Sequence, residues 1–255
     1  MADGNPRTDD PAPDRRPLSI DTVADVLIRG RMEVKQLLPW SSNYTFLVTV
    51  TWDDLEIYAV YKPCRGERPL WDFPEGTLAN REVAAYVVSQ GLGWPIVPPT
   101  VLRDGPHGAG MVQFYVDADP NEHYFTFGSQ FPDEFKKIAV FDALVNNADR
   151  KAGHCLRDSA DHVWAIDHGI CFHTEPKLRT VIWEFAGQPI PPEVLRDVRA
   201  FRERLGSRKD SITKALNQLL AQDEMDALRA RADRLIAQGR FPNPGRERHV
   251  PWPPV

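Results

Sequence analysis

The stretch NNADRKAGHCLRDSADHVWAIDHG (146–169) carries two aspartates, Asp149 and Asp167, on either side of what reads as a short hairpin. CLRD and VWAID have strand composition, and DSADH between them is rich in turn residues. A hairpin returns the chain on itself, so both carboxylates can face one cleft. His154 stands five residues after Asp149, at the entry of the first strand. Three such groups converging on one point suit a metal-bound phosphate, because hard divalent cations take oxygen ligands. A carboxylate left off the metal can orient a hydroxyl and accept its proton. Taken alone, Asp149-Arg150 also reads as an ion pair at a helix end, Asp167 as a turn cap, and His154 as a structural histidine.

Upstream, PDEFKKIAVFDALVNNADR has apolar residues largely on one side and reads as a helix running into Asp149. Downstream, EVLRDVRAFRERLG, SITKALNQLLAQ and DEMDALRARADRLIAQG each carry an apolar stripe at helical spacing, which makes them packed helices. The first half has the opposite character. TFLVTVTW (45–52) and LEIYAVYK (55–62) flank Asp53-Asp54 as a β-hairpin, and IVPPTVLRD and GAGMVQFYV read as two further strands. Between them LANREVAAYVVSQGLG (78–93) is a helix that stops on glycine. The expected class is α+β: a β-rich lobe with one helix over 18–116, an α-rich lobe over 117–240, a disordered tail at 1–17, and a Pro-rich segment at 241–255. Two unequal lobes form a cleft between them. Lys62 ends an apolar strand, and Glu82 lies on the following helix. A lysine held by a helix carboxylate and aimed at a cleft is a phosphate clamp. Trp71 and Trp183 read as packing residues, with the lining of the cleft as the second reading for Trp71.

The order of strand lysine, helix glutamate, Asp-x-Lys loop, hairpin and Asp-x-Gly resembles the protein-kinase-like superfamily. The words KPCRGE, NNADRK and AIDHG resemble its phosphatidylinositol 3-/4-kinase-like branch, in particular a group of short actinobacterial proteins related to those kinases. The resemblance spans roughly residues 34 to 240. It implies a two-lobe kinase fold, ATP as nucleotide and Mg or Mn as divalent metal. It implies catalytic roles for Asp149 as base and Lys151 as a contact to the transferred phosphate. Lys62 would touch the nucleotide phosphates and pair with Glu82, and Asp167 would bind metal. The backbone of Gln113, Phe114, Tyr115 and Val116 would serve as the hinge bonding adenine. The sequence departs from the kinase pattern twice. His154 stands where kinases place a metal-binding asparagine, and imidazole suits Mn better than Mg. A glycine-rich loop is replaced by PWSSNYT (39–45), where Ser41, Ser42 and Asn43 would offer donors to phosphate.

The 255 residues carry 31 Lys plus Arg against 36 Asp plus Glu, a net charge of -5, which argues against nucleic acid as partner. The three cysteines include no C-x-x-C pair, so neither a disulfide framework nor a cysteine zinc site is indicated. No apolar run reaches membrane-helix length and no signal-like segment opens the chain, so a cytoplasmic protein without integral membrane contact is expected. The function expected is a kinase transferring phosphate to a hydroxyl acceptor: a protein side chain, an inositol-type polyol or a phosphoinositide. The alternatives are a nucleotide-binding pseudokinase regulating a protein partner, AMP transfer on the same fold, and, lowest, a metal-dependent hydrolase that needs no Lys62.

Overall fold

Two runs of β-branched and aromatic residues, Phe46–Trp52 (β2) and Leu55–Pro63 (β3), pair antiparallel with Trp52 opposite Leu55. Asp53 closes the turn between them at a φ of 50°, which aspartate tolerates better than bulkier residues. The computed structural model describes residues 18–38 and 43–255. The expected tail at 1–17 and the phosphate-loop candidates Ser41 and Ser42 lie outside the described residues. The hairpin extends into a five-stranded antiparallel sheet with Arg31–Leu37 (β1), Thr100–Gly105 (β4) and Gly108–Phe114 (β5), in the order β1-β2-β3-β5-β4.

Where one helix was expected in this half, there are two, Ile20–Arg29 (α1) and Leu78–Leu92 (α2). Ser19 caps α1 by accepting from the Thr22 amide at 3.1 Å, and Gly30 ends it. A side chain at Gly30 would meet Val50 Cγ1 at 2.5 Å, so only glycine lets the chain turn onto the sheet here. Val23, Val26 and Leu27 of α1 bury against Val48, Val50, Ile57, Ala59, Tyr61 and Val112. Each large aliphatic side chain buried there contributes about 1.5–3 kcal/mol. Ile57, Ala59 and Tyr61 therefore face α1, and the two-residue period sends Val60 and Lys62 to the opposite face. On that face Met111, the partner of Lys62 in the ladder, packs against Ala79 and Val83 of α2.

The other side of α2 belongs to a second, larger core. Ala84, Ala85, Val88 and Leu92 join Phe135, Ile138, Phe141 and the buried stripes of the C-terminal helices. Those helices are Tyr124–Phe127 (α3), Pro132–Val145 (α4), Pro192–Arg204 (α5), Ser211–Leu219 (α6) and Gln222–Gln238 (α7), with Cys155–Arg157 (β6) and Val163–Ala165 (β7) forming a small hairpin. The sequence reading ran the first of the long helices to Arg150, but α4 stops at Val145. Asn146 takes the left-handed conformation, with φ 55°. Its amide donates to the carbonyls of His173 and Glu175, and its side-chain oxygen accepts from the Lys177 amide. Asp149 is thereby released onto a loop.

The C-terminal segment is packed. Phe241 is buried in the larger core, the Thr180 amide donates to the His249 carbonyl, and the Ala152 amide donates to Pro254 at 2.8 Å. Trp252 stays largely exposed. No described helix is long and apolar enough to cross a membrane.

Candidate active site

Lys62 leaves the end of β3 and meets two carboxylates. Its Nζ donates to Glu82 Oε1 at 2.7 Å and to Asp167 Oδ1 at 2.8 Å. Glu82 is 2% exposed and Asp167 44%, so the lysine bridges an interior anchor and an acid at the cleft mouth. The second oxygen of Glu82 accepts the His168 amide at 2.7 Å, which ties α2 to the segment after β7. Burial alone would lower the Lys62 pKa, but Asp167 and Glu82 outweigh it and hold the ammonium above its ordinary range. Lys62 holds Asp167 far below the usual carboxylate range, against its own burial. Burial raises Glu82 against the pull of Lys62. At neutral pH the cleft thus presents a fixed cation and a fixed anion side by side. Asp167 has a φ of 61°, a conformation that L residues adopt at some cost and that recurs at functional sites.

Asp149, Lys62, Glu82 and Asp167 line one cavity of about 150 Å³, together with Asn43, Glu67 and Gly169. Asn43 is thus beside the lysine, but its side-chain oxygen already accepts the Arg68 amide at 2.9 Å. Burial raises the Asp149 pKa, with Lys151 opposing and Asp167 reinforcing the rise. Lys151 Nζ lies 3.5 Å from Asp149 Oδ2. His154 Nδ1 is 2.9 Å from the Asp149 carbonyl, and its Nε2 is 3.4 Å from Asp167 Oδ2. A carbonyl only accepts, so Nδ1 carries the proton. Burial pushes the His154 pKa down to about 4, so the ring is neutral and Nε2 turns a lone pair toward a carboxylate. Two acceptors that face each other this way are a place for a cation. Among the described residues no group of three His, Cys, Asp or Glu gathers into a full metal cage. Two protein donors with phosphate and water completing the shell is a common arrangement for Mg at phosphate sites.

The hinge residues stand apart from that cavity. The Gln113 side chain is buried and donates to Thr100 Oγ1 at 2.8 Å. The amides of Phe114 and Tyr115 donate to Pro99 and Tyr58, whereas the Val116 amide has no partner among the described residues. Trp71, expected to pack, is 93% exposed. It lines a recess of about 390 Å³ beside Asp149 and Lys151, together with Phe73, Ile170, Arg248 and Trp252.

Several positioning residues were not recognised in the sequence. Arg150 is fully buried and pairs with Asp142, not with Asp149 at a helix end. Its guanidinium takes Asp142 of α4 bidentately (2.9 and 3.0 Å), the carbonyls of His154 and Ile166, and His168 Nε2 at 2.6 Å. One side chain thus fixes the loop after Asp149 and the segment before Asp167. Glu67, in the KPCRGE word, caps α2 by accepting the Leu78 and Ala79 amides, where a carboxylate also suits the helix dipole. Arg81, buried beside Glu82 in sequence, pairs with Glu224 of α7, donates to the Cys171 carbonyl at 2.7 Å and stacks over Phe73. The signal available for these was a charged residue within or next to a motif, which spacing alone does not separate from a solvated charge.

A family model for phosphatidylinositol 3- and 4-kinase matches residues 79–203, which include Glu82, Asp149, Lys151, His154 and Asp167. Protein Rv2133c of Mycobacterium tuberculosis is 41% identical, over 89% of this chain and 94% of its own length. Phosphatidylinositol 4-kinase gamma 4 of Oryza sativa subsp. japonica is 34% identical over 46% of this chain, and the match spans 25% of that longer protein. Among solved structures, a Helicobacter pylori proinflammatory kinase, CtkA, superposes with a TM-score of 0.52 at 11% identity, covering 84% of this chain and 94% of that one. The last similarity is one of fold. Residues 79–203 thus belong with the phosphatidylinositol 3- and 4-kinases, and the chain as a whole shares its family with a mycobacterial protein of nearly its own extent.

Proposed function

We propose that the protein is an ATP-dependent phosphotransferase acting on a hydroxyl acceptor. The observation that carries this reading is the convergence of Lys62, Glu82, Asp149 and Asp167 on one cavity. Lys62 holds the nucleotide phosphates, and Glu82 holds Lys62. Asp149, its pKa raised by burial, accepts a hydrogen bond from the acceptor hydroxyl and receives its proton. Lys151 offsets negative charge on the group in transfer. The Val116 amide is the hinge donor for the base. A divalent ion, Mg or Mn, would be held by Asp167 and His154 and would supply charge neutralisation at the phosphates. The recess walled by Trp71, Trp252, Lys151 and Arg248 adjoins Asp149 and is where the acceptor enters. Its cations favour an acceptor that already carries negative charge, such as a phosphorylated inositol or an acidic peptide presenting a serine, threonine or tyrosine.

The test is incubation with γ-labelled ATP and Mg or Mn, followed by separation of protein, lipid and small-molecule fractions. Label in one fraction, absent with Asp149→Ala, supports transfer and names the acceptor class. A second reading, a nucleotide-binding pseudokinase, is favoured by His154 in place of the kinase asparagine. It predicts ATP binding with no label transferred to any fraction.

A further inference from the structure

A second cavity, of about 460 Å³, lies between α7, the segment at 174–183 and the C-terminal segment at 242–249, and shares Arg179 and Arg248 with the recess beside Asp149. Five arginines line it, Arg179, Arg231, Arg234, Arg246 and Arg248, against a single carboxylate, Glu247. This concentration of cations runs against the chain's net charge of -5. The cavity's other cation, Lys177, is already paired with Asp72 at 2.7 Å.

Arg231 is the decisive residue. Its Nε donates to the Leu144 carbonyl at 2.7 Å and its Nη1 to the His173 carbonyl at 3.1 Å, so α7 is bonded to the end of α4. Its Nη2 is buried without a hydrogen-bond partner, and among the described residues no carboxylate pairs with it. Burial pushes its pKa down to about 10, which leaves it charged at neutral pH. A buried charge without a counter-charge is costly, and a buried N–H without an acceptor adds to the cost. Arg179 leaves its Nε in the same condition on the wall shared with the acceptor recess. Arg234 lies three residues beyond Arg231, on the same side of α7, where like charges repel unless an anion lies between them. Trp183, its indole N–H bonded to the His249 carbonyl at 3.1 Å, and Leu235 supply an apolar wall.

We propose that this cavity binds a small phosphorylated molecule, its phosphate held by Arg231 and Arg234 and its remaining body against Trp183. Arginine N–H groups pair well with phosphate oxygens, and Arg231 keeps one nitrogen, Nη2, without a partner after its bonds to the Leu144 and His173 carbonyls. A volume of about 460 Å³ falls in the range of small-molecule sites, about 300–1,000 Å³, and exceeds what inorganic phosphate fills. The phosphate is the shared chemistry of two sources, a nucleoside monophosphate and a polyol or sugar phosphate. The site is independent of the Lys62 cleft.

Calorimetric titration of the full chain with inorganic phosphate, AMP and glucose 6-phosphate tests the proposal. At least one probe binds, binding persists in Lys62→Ala, and it weakens about tenfold or more in Arg234→Glu and in Arg231→Met. Arg234 is exposed, so its variant keeps the fold even if Arg231→Met does not. Tighter binding of AMP assigns the site to a nucleotide, and tighter binding of glucose 6-phosphate assigns it to a polyol phosphate. Binding unchanged in folded Arg234→Glu, binding abolished by Lys62→Ala, or no binding of any probe at millimolar concentration would each overturn it.

Discussion

His154 Nε2 stands 3.4 Å from Asp167 Oδ2, and the other nitrogen of its ring is held by the Asp149 carbonyl. The imidazole is thereby fixed as a neutral ring whose Nε2 turns a lone pair toward a carboxylate. Nitrogen is a softer ligand than the asparagine oxygen found there in kinases, so under the proposed function His154 would shift a bound metal toward Mn relative to Mg. His154→Asn is expected to weaken Mn binding and narrow the Mn-over-Mg preference by about tenfold. Electron paramagnetic resonance of Mn with a non-hydrolysable ATP analogue reads this without reference to turnover. An unchanged preference would remove His154 from the metal set.

Arg150 and Asp142 form a buried pair at the base of the same loop. Arg150→Met leaves the Asp142 carboxylate buried and uncompensated, and is expected to cost about 3–5 kcal/mol in urea denaturation. Replacing both, with Asp142→Leu added, is expected to recover part of that loss. A single variant as stable as wild type would show that the loop does not depend on this pair.

Both residues also mark the limit of sequence reading. The β2–β3 hairpin, α2 and the three C-terminal helices were legible because each is a continuous apolar pattern of period two or 3.6. So were Lys62, Glu82, Asp149 and Asp167, because the order of their motifs is specific. Arg150 was not, because its partner Asp142 sits eight residues earlier on a helix whose end was misjudged. That end depends on Asn146 adopting a left-handed conformation, which long-range bonds to His173, Glu175 and Lys177 stabilise. α1 went unread although Ser19, Asp21 and Gly30 signal a helix start and stop. β1 is an edge strand with almost every side chain exposed, so it lacks the alternation that marks a half-buried strand.

The seat of α2 in the helical core gives a third expectation. Gly91 of α2 lies against Phe201 of α5, where an added Cβ would approach the ring at 2.7 Å. Gly91→Ala is expected to destabilise by about 1–3 kcal/mol despite alanine's better helix propensity. Adding Phe201→Leu should relieve the clash. Thermal denaturation of the two variants checks this, and a more stable Gly91→Ala would contradict the close packing.

Acid sensitivity has an identifiable contributor in the β6–β7 turn. Asp158 accepts the Ala160 and His162 amides and the Trp164 indole N–H. Burial works to raise its pKa, but these bonds outweigh it and hold the value below the ordinary aspartate range. A carboxylate depressed in the folded state contributes stability above its unfolded pKa of about 3.9, and loses it as pH falls through the lower folded value. Asp158→Asn is therefore expected to flatten the stability profile below about pH 4. Denaturation midpoints measured from pH 6 to pH 2 test it, and identical slopes in the two proteins would remove Asp158 from the acid response.

The central claim is that Lys62 and Asp149 serve one nucleotide in different capacities, the first by holding phosphate and the second by receiving a proton. ATP binding and ATP turnover measured side by side on wild type, Lys62→Ala and Asp149→Ala test it most directly. The account predicts that Asp149→Ala binds ATP as wild type does while turnover falls about 10²–10⁴-fold, and that Lys62→Ala loses both. Full turnover retained by Lys62→Ala would contradict it.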